Sequence, residues 1–332
     1  TGYVDNKTGA DGAGTLTFAG ASTVTKSIGV TNALKLITAA QSGAAAVFGE
    51  SVAAETINLG SGAVSFGGDI TGEVNVNNAG SVITIADGAK VTGNINNTTG
   101  ATNGTINATG SLTVTGDIGS PDAFNIFNVK ADNKTISFGG DTNIASFNFN
   151  GKTNSVLSFT GVNKTFVGDI TAGAHGAGTL DASDNNVTVN GNIGADGANI
   201  LNIQIGSAGN ASSFSSSGNI YSNSITFGNA GSSLVLTAAS PVVHGNIVAS
   251  GSDYGVIDAS ANGALIVGNV GDIEGNAIDG IIIGAGKTVN IQDGNVHTSS
   301  VTFNDTDSVF ELSGDVNTTT IVKNAINPAN AL

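Results

Sequence analysis

The chain has 332 residues, with 25 acidic side chains against ten basic ones and a formal net charge of −15. That balance argues against nucleic-acid backbones and anionic membrane surfaces, which are held through clustered lysine and arginine; the ten cations here are all lysine. The absence of cysteine excludes a disulfide framework and thiolate metal sites, glycine stands at roughly double its ordinary share, and a hydrophobic content of 39% still supplies a core.

The chain opens at Thr1 without an initiator methionine or a signal peptide, as a processed or excised piece would. No apolar run nears the ~20 residues of a membrane-spanning helix. Residues 1–50 are weakly patterned. Within them, 14-GTLTF-18 reads as a strand, and 32-NALKLITAAQ-41 is the one stretch that could form a turn or two of helix. Thr25-Lys26-Ser27-Ile28 and Phe48-Gly49-Glu50-Ser51-Val52 look like degenerate copies of the repeat that follows.

From residue 64 the pattern sharpens. Val64-Ser65-Phe66, Leu112-Thr113-Val114, Ile136-Ser137-Phe138, Val187-Thr188-Val189 and Phe310-Glu311-Leu312 alternate apolar and polar, the period of a strand with one buried face. A second short strand recurs at 104-GTINA-108, 178-GTLDA-182 and 255-GVIDA-259. A tight turn rich in Gly, Asn and Asp joins the two strands, and after the alternating strand returns a corner motif of glycine, Asn or Asp, and usually Ile or Val. Its copies begin at Gly68, Gly93, Gly116, Gly140, Gly168, Gly191, Gly218, Gly245, Gly268, Gly294 and Gly314. The mean interval, (314 − 68)/10, is about 25 residues.

A unit of short strands that long cannot bury its apolar face alone, but stacked units can. The expectation is therefore an all-β fold: a right-handed parallel β-helix, a solenoid of roughly 25 residues per coil. One such segment would span 1–332, with 1–50 as an N-terminal cap or degenerate coils. The motif would mark the same corner in every coil. There Asn and Asp suit left-handed backbone and can bond one another as a ladder. Asp fills five of the eleven copies, with Asp141 and Asp169 in successive ones, where like charges repel unless solvent screens them.

Several constellations suggest chemistry and do not hold up. In 281-IIIGAGKTV-289 a strand leads into Gly-Ala-Gly-Lys-Thr, but Ile281 stands where a phosphate loop needs its first glycine, and a strand pattern follows where a helix should open. Lys-Thr recurs in Asn133-Lys134-Thr135 and Asn163-Lys164-Thr165, which points to a turn between strands. The carboxylate pairs Asp181/Asp184, Asp253/Asp258 and Asp305/Asp307 lie in turns, where Asp serves the backbone. His175, His244 and His297 are each alone in their coil, no calcium-binding nonapeptide occurs, and rows of Thr-x-Thr suited to ice are broken. No catalytic, cofactor-binding or metal-binding residue is therefore assigned, and no cofactor is expected.

The coils 28-IGVTNALKLITAA-40, 108-ATGSLTVTGDIGS-120 and 185-NNVTVNGNIGADGANILNIQIG-206 resemble the passenger regions of rickettsial surface autotransporters, the outer membrane protein A/B-like surface antigen family. That resemblance implies a passenger displayed at the bacterial surface and tethered through a C-terminal translocator barrel, of which 317–332 shows no strand pattern. It further implies a non-enzymatic adhesin, invasion factor and coat component whose partner is a host cell-surface protein. Recognition would fall on coil faces and on the variable segments 119–134 and 195–217. The alternatives are a structural spacer and a degenerate carbohydrate-active enzyme.

Overall fold

The computed structural model describes residues 3–7, 9–271 and 276–313, and the backbone of 319–321. The motif copy at 314–316 and most of 317–332 lie outside the described residues. Among the described residues there is no helix. The chain is all-β, a parallel β-solenoid whose coils follow one another roughly every 22 residues. It divides into two units, Thr1–Gly161 with Phe166–Gly168, and Val162–Thr165 with Asp169–Leu332.

Period-two alternation puts every second side chain inside, and stacking coils turns those side chains into columns. In the first unit one column runs Ile28, Val52, Ile70, Val91, Val114, Phe138, Phe159. A second runs Ile37, Ile57, Val74, Ile95, Ile118, Thr142. The third is Phe48, Phe66, Ile85, Ala108, Val129. All are buried. Phenylalanine thickens this core: Phe127 stacks on Phe147 at 5.1 Å and meets Phe138 edge-on at 5.5 Å.

The stretch that could have been helical is a strand, Leu34–Ala39, with Leu34, Ile37 and Ala39 buried and Lys35 exposed. It pairs in parallel with Thr15–Thr17 on one side and Val52–Leu59 on the other. Two hydrogen-bonded neighbours outweigh the small propensity of a ten-residue window, too short to hold an isolated helix.

The second unit repeats the plan. Its columns are Leu180, Ile203, Ile225, Ile247, Val270, Val296; Ile170, Ile193, Ile220, Val243, Ile266, Ile291; and Val187, Phe214, Leu234, Ile257, Ile281, Val301. Each coil gives one residue to each column. The turns between strands reuse one device: Asn133, Asn163 and Gly286, each just before a Lys-Thr, all have positive φ (56°, 53° and 63°). Glycine and asparagine are interchangeable there because both enter the left-handed region.

The 25-residue motif does not mark one corner throughout, because it is longer than the coil. In the second unit Ile170, Ile193 and Ile220 share a column, yet Ile220 pairs with Val243, four residues ahead of the next motif residue, Ile247. Ile247, Val270 and Val296 then lie in a different column. The first unit does the same: Ile70 pairs with Val91, four residues before Ile95, and Ile95, Ile118 and Thr142 continue one column over. The shift is carried by long strands, Val52–Leu59 and Ile70–Val76 in one unit, Ile220–Phe227 and Val242–Ala249 in the other. Register slips within them, between Ala53 and Thr56 and between Tyr221 and Ser224.

The Asn/Asp position also works differently from a pure side-chain ladder. Its Oδ1 accepts the backbone N–H of the equivalent residue one coil on: Asn94 from Asp117 at 2.8 Å, Asp169 from Asn192 at 2.7 Å, Asn192 from Asn219 at 3.0 Å, Asn246 from Asn269 at 3.0 Å. Side-chain amides add a second bond in places, as from Asn269 to Asn246 at 3.1 Å. Only an acceptor oxygen is required, so Asp and Asn alternate freely. Where the motif leaves its corner the ladder runs one rung further, onto the N–H of Lys90 from Asp69 and of Val242 from Asn219.

Candidate functional site

Five of the six paired carboxylates accept hydrogen bonds within turns or from neighbouring coils. Asp181 and Asp258 each accept the backbone N–H two residues on, from Ser183 at 3.0 Å and Ser260 at 2.9 Å. Asp184 accepts from Ser207 and Asn210, and Asp253 from the Ser299 hydroxyl. The Asp305 carboxyl is held below its ordinary range by the N–H of Gly286, then by the Ser308 hydroxyl. Asp87 is likewise lowered, first by the Lys134 ammonium and then by the Ser111 N–H. Among the described residues no group of three or more His, Asp or Glu is placed to hold a metal ion.

Gly284-Ala285-Gly286-Lys287 is the turn between strands Ile278–Ile283 and Thr288–Gln292, closed by the Lys287 N–H on the Gly284 carbonyl at 3.0 Å. The segments expected to carry recognition each contain core strand as well as turns. In 119–134, Phe124–Val129 is paired on both sides, with Phe124, Phe127 and Val129 buried. In 195–217, Ile200–Ile205 and Ser213–Ser216 are core strands, and only short turns around Asp196 and Asn210 reach outward.

Of the three histidines, His175 is exposed in a turn. His244 sits beside Tyr221 on the adjacent coil, ring centroids 6.0 Å apart and planes 23° from parallel. These two half-buried rings lie where the second unit's register slips. On one side is a hollow of about 450 Å³ walled by Asn199, Asn223, His244, Asn246 and Asp293. On the other is one of about 380 Å³ walled by Asp169, Asn192, Asp196, Asn219 and Tyr221. The pairing was hidden in the sequence because Tyr221 follows a motif residue and His244 precedes one. Only the four-residue shift brings them level.

No family model matches the chain, and no solved structure does. Curated relatives do. The chain is 32% identical, over 86% of its length, to "Outer membrane protein A" of Rickettsia rickettsii, and 29% identical over 72% to "Outer membrane protein B" of Rickettsia conorii. A further similarity, 33% identity over 52%, is to "Outer membrane protein B" of Rickettsia rickettsii. The aligned parts are 12%, 16% and 11% of those proteins, so the chain spans only about an eighth of the relatives it matches. It is a sequence relative of the rickettsial outer membrane proteins A and B.

Proposed function

We propose that this relative of rickettsial outer membrane proteins A and B is a stretch of a surface-displayed passenger that adheres to host cells. The similarity over 86% of the chain carries the proposal. The protein stands at the bacterial cell surface, associated with the outer membrane, and its partner is a host cell-surface protein. Tethering through a C-terminal translocator barrel is part of the same proposal.

The physical features fit. Coils that pair only with their neighbours can order progressively as they emerge, each templating the next. No disulfide has to form, since there is no cysteine. No catalytic role is assigned, because the carboxylates that could have served hydrolysis hold turns instead. The spacer reading draws support from the same regularity.

The test is binding of the purified chain to host cells in culture. Saturable binding that the unlabelled chain displaces supports the adhesin. Binding no greater than that of an unrelated β-helix leaves the spacer. Release of reducing sugar from a glycan panel overturns both.

A further inference from the structure

The Tyr221–His244 ring pair and its two hollows have chemistry of their own. All the described aromatic contacts other than this one are between phenylalanines, most of them buried in the first unit's core. Tyr221 and His244 instead are partly exposed and line depressions at the surface, with His244 Nδ1 buried. The backbone makes the depression at His244. At Gly245 φ is +135°, and a Cβ there would fall 1.9 Å from the Ser222 carbonyl oxygen, so the strand carries no side chain at the point where it dips.

The walls hold polar groups that the fold does not use. Asn199 is only 6% exposed, yet its side-chain amide receives and gives no hydrogen bond among the described residues. Asn223 and Asp293 are also without side-chain partners there. Asn246 spends its Oδ1 on Asn269 and keeps its amide N–H groups. The Asn199 amide lines the hollow and is not among the sealed, unpartnered polar atoms, so it can bond water or a ligand hydroxyl there.

We propose that this cleft binds an uncharged oligosaccharide. A sugar ring offers an apolar C–H face and a rim of hydroxyls. The Tyr221–His244 pair presents flat, half-apolar rings for the face. Carboxamides both donate and accept, which matches hydroxyls that do the same, and Asn199, Asn223 and Asn246 lie around the rings. Charge selects the class. No lysine lines either hollow, while Asp169, Asp196 and Asp293 do, so sulfated and sialylated glycans are repelled. A peptide added as an extra strand has no purchase, because the backbone here is paired with coils on both sides. As a means of attachment the cleft rests on the adhesive role proposed above; as a binding site it does not.

The experiment uses the full chain and saturation-transfer NMR. The probes are soluble tetrasaccharides of glucose, galactose, mannose and N-acetylglucosamine, with heparin-derived and sialylated tetrasaccharides as anionic controls. At least one neutral probe binds saturably. Tyr221→Ala weakens it roughly tenfold or more, and Tyr221→Phe keeps it. Asn223→Ala, which removes no bond within the protein, weakens the same probe and decides the matter if Tyr221→Ala does not fold. Silence from every neutral probe overturns the proposal, as does preference for the anionic ones or binding indifferent to both alanine variants. Cell adherence is scored separately. Adherence that survives Tyr221→Ala while sugar binding is lost leaves the adhesin standing without this cleft. Sugar binding without adherence does the reverse.

Discussion

Asp141 donates its backbone N–H to the Oδ1 of Asp117, one coil earlier in the first unit, at 2.8 Å. Two acidic residues are thus stacked in a position where their charges repel, and the bond between them is side chain to main chain. The carboxylate serves as an acceptor, and its charge is incidental. Asp117→Asn keeps the acceptor and removes a negative charge, so stability holds within about 0.5 kcal/mol or rises. Asp117→Leu removes the acceptor and costs about 0.5–1.5 kcal/mol. Urea midpoints followed by circular dichroism compare the two. Equal losses from both would mean that the charge, not the oxygen, holds the rung.

The corner shift depends on glycine. A side chain at Gly245 meets the Ser222 carbonyl at 1.9 Å in a backbone region that L residues avoid, and the same holds at Gly72 against the Ala54 carbonyl at 1.6 Å. Gly286 also has positive φ, but no atom lies within 4 Å of its Cβ position. Gly286→Ala therefore costs only the left-handed penalty, about 1–2 kcal/mol. Gly245→Ala adds a backbone collision and costs about 3 kcal/mol or more. Thermal unfolding of the two variants separates them, and equal shifts would mean that the clash is relieved by movement.

Phe127 touches both Phe147 in its own face and Phe138 across the core, at 5.1 and 5.5 Å. Truncating it leaves a void between coils that cannot close without breaking ladder hydrogen bonds on either side. Phe127→Ala costs about 3–5 kcal/mol. Because coils interact chiefly with neighbours, the loss is local. Amide exchange should quicken around 106–147 and stay unchanged in the second unit. Uniform acceleration along the whole chain would argue for one cooperative block.

Much of this was legible in the sequence. Alternation at Val64-Ser65-Phe66 or Leu112-Thr113-Val114 admits one buried face, and the recurrence of such pieces leaves stacking as the way to bury it. Coil length was the misleading quantity. The Gly-Asn/Asp-Ile motif advances about 25 residues while the chain closes a coil in roughly 22. No local pattern shows that Ile220 pairs with Val243 rather than with Ile247, since both are β-branched and apolar. That unseen step also hid the partly exposed ring pair Tyr221 with His244. The strand at Leu34–Ala39 was obscured for a different reason: its evidence is the pairing on both sides, which is non-local.

Acid should loosen the turn at 284–287 before it unfolds the core. The Asp305 carboxyl is lowered from 3.8, chiefly by the Gly286 N–H and next by the Ser308 hydroxyl. A depressed folded value means the ionised form favours the folded turn. Its contribution is fully present above the unfolded value and is lost as pH falls through the lower folded one. The window is therefore below 3.8. The Gly286 amide shift, followed by NMR, should titrate with a midpoint under that value. Asp305→Asn, which keeps an oxygen for Gly286 but cannot ionise, should flatten the curve. A midpoint at or above 3.8, or a curve unchanged by the substitution, would assign the titration to another group.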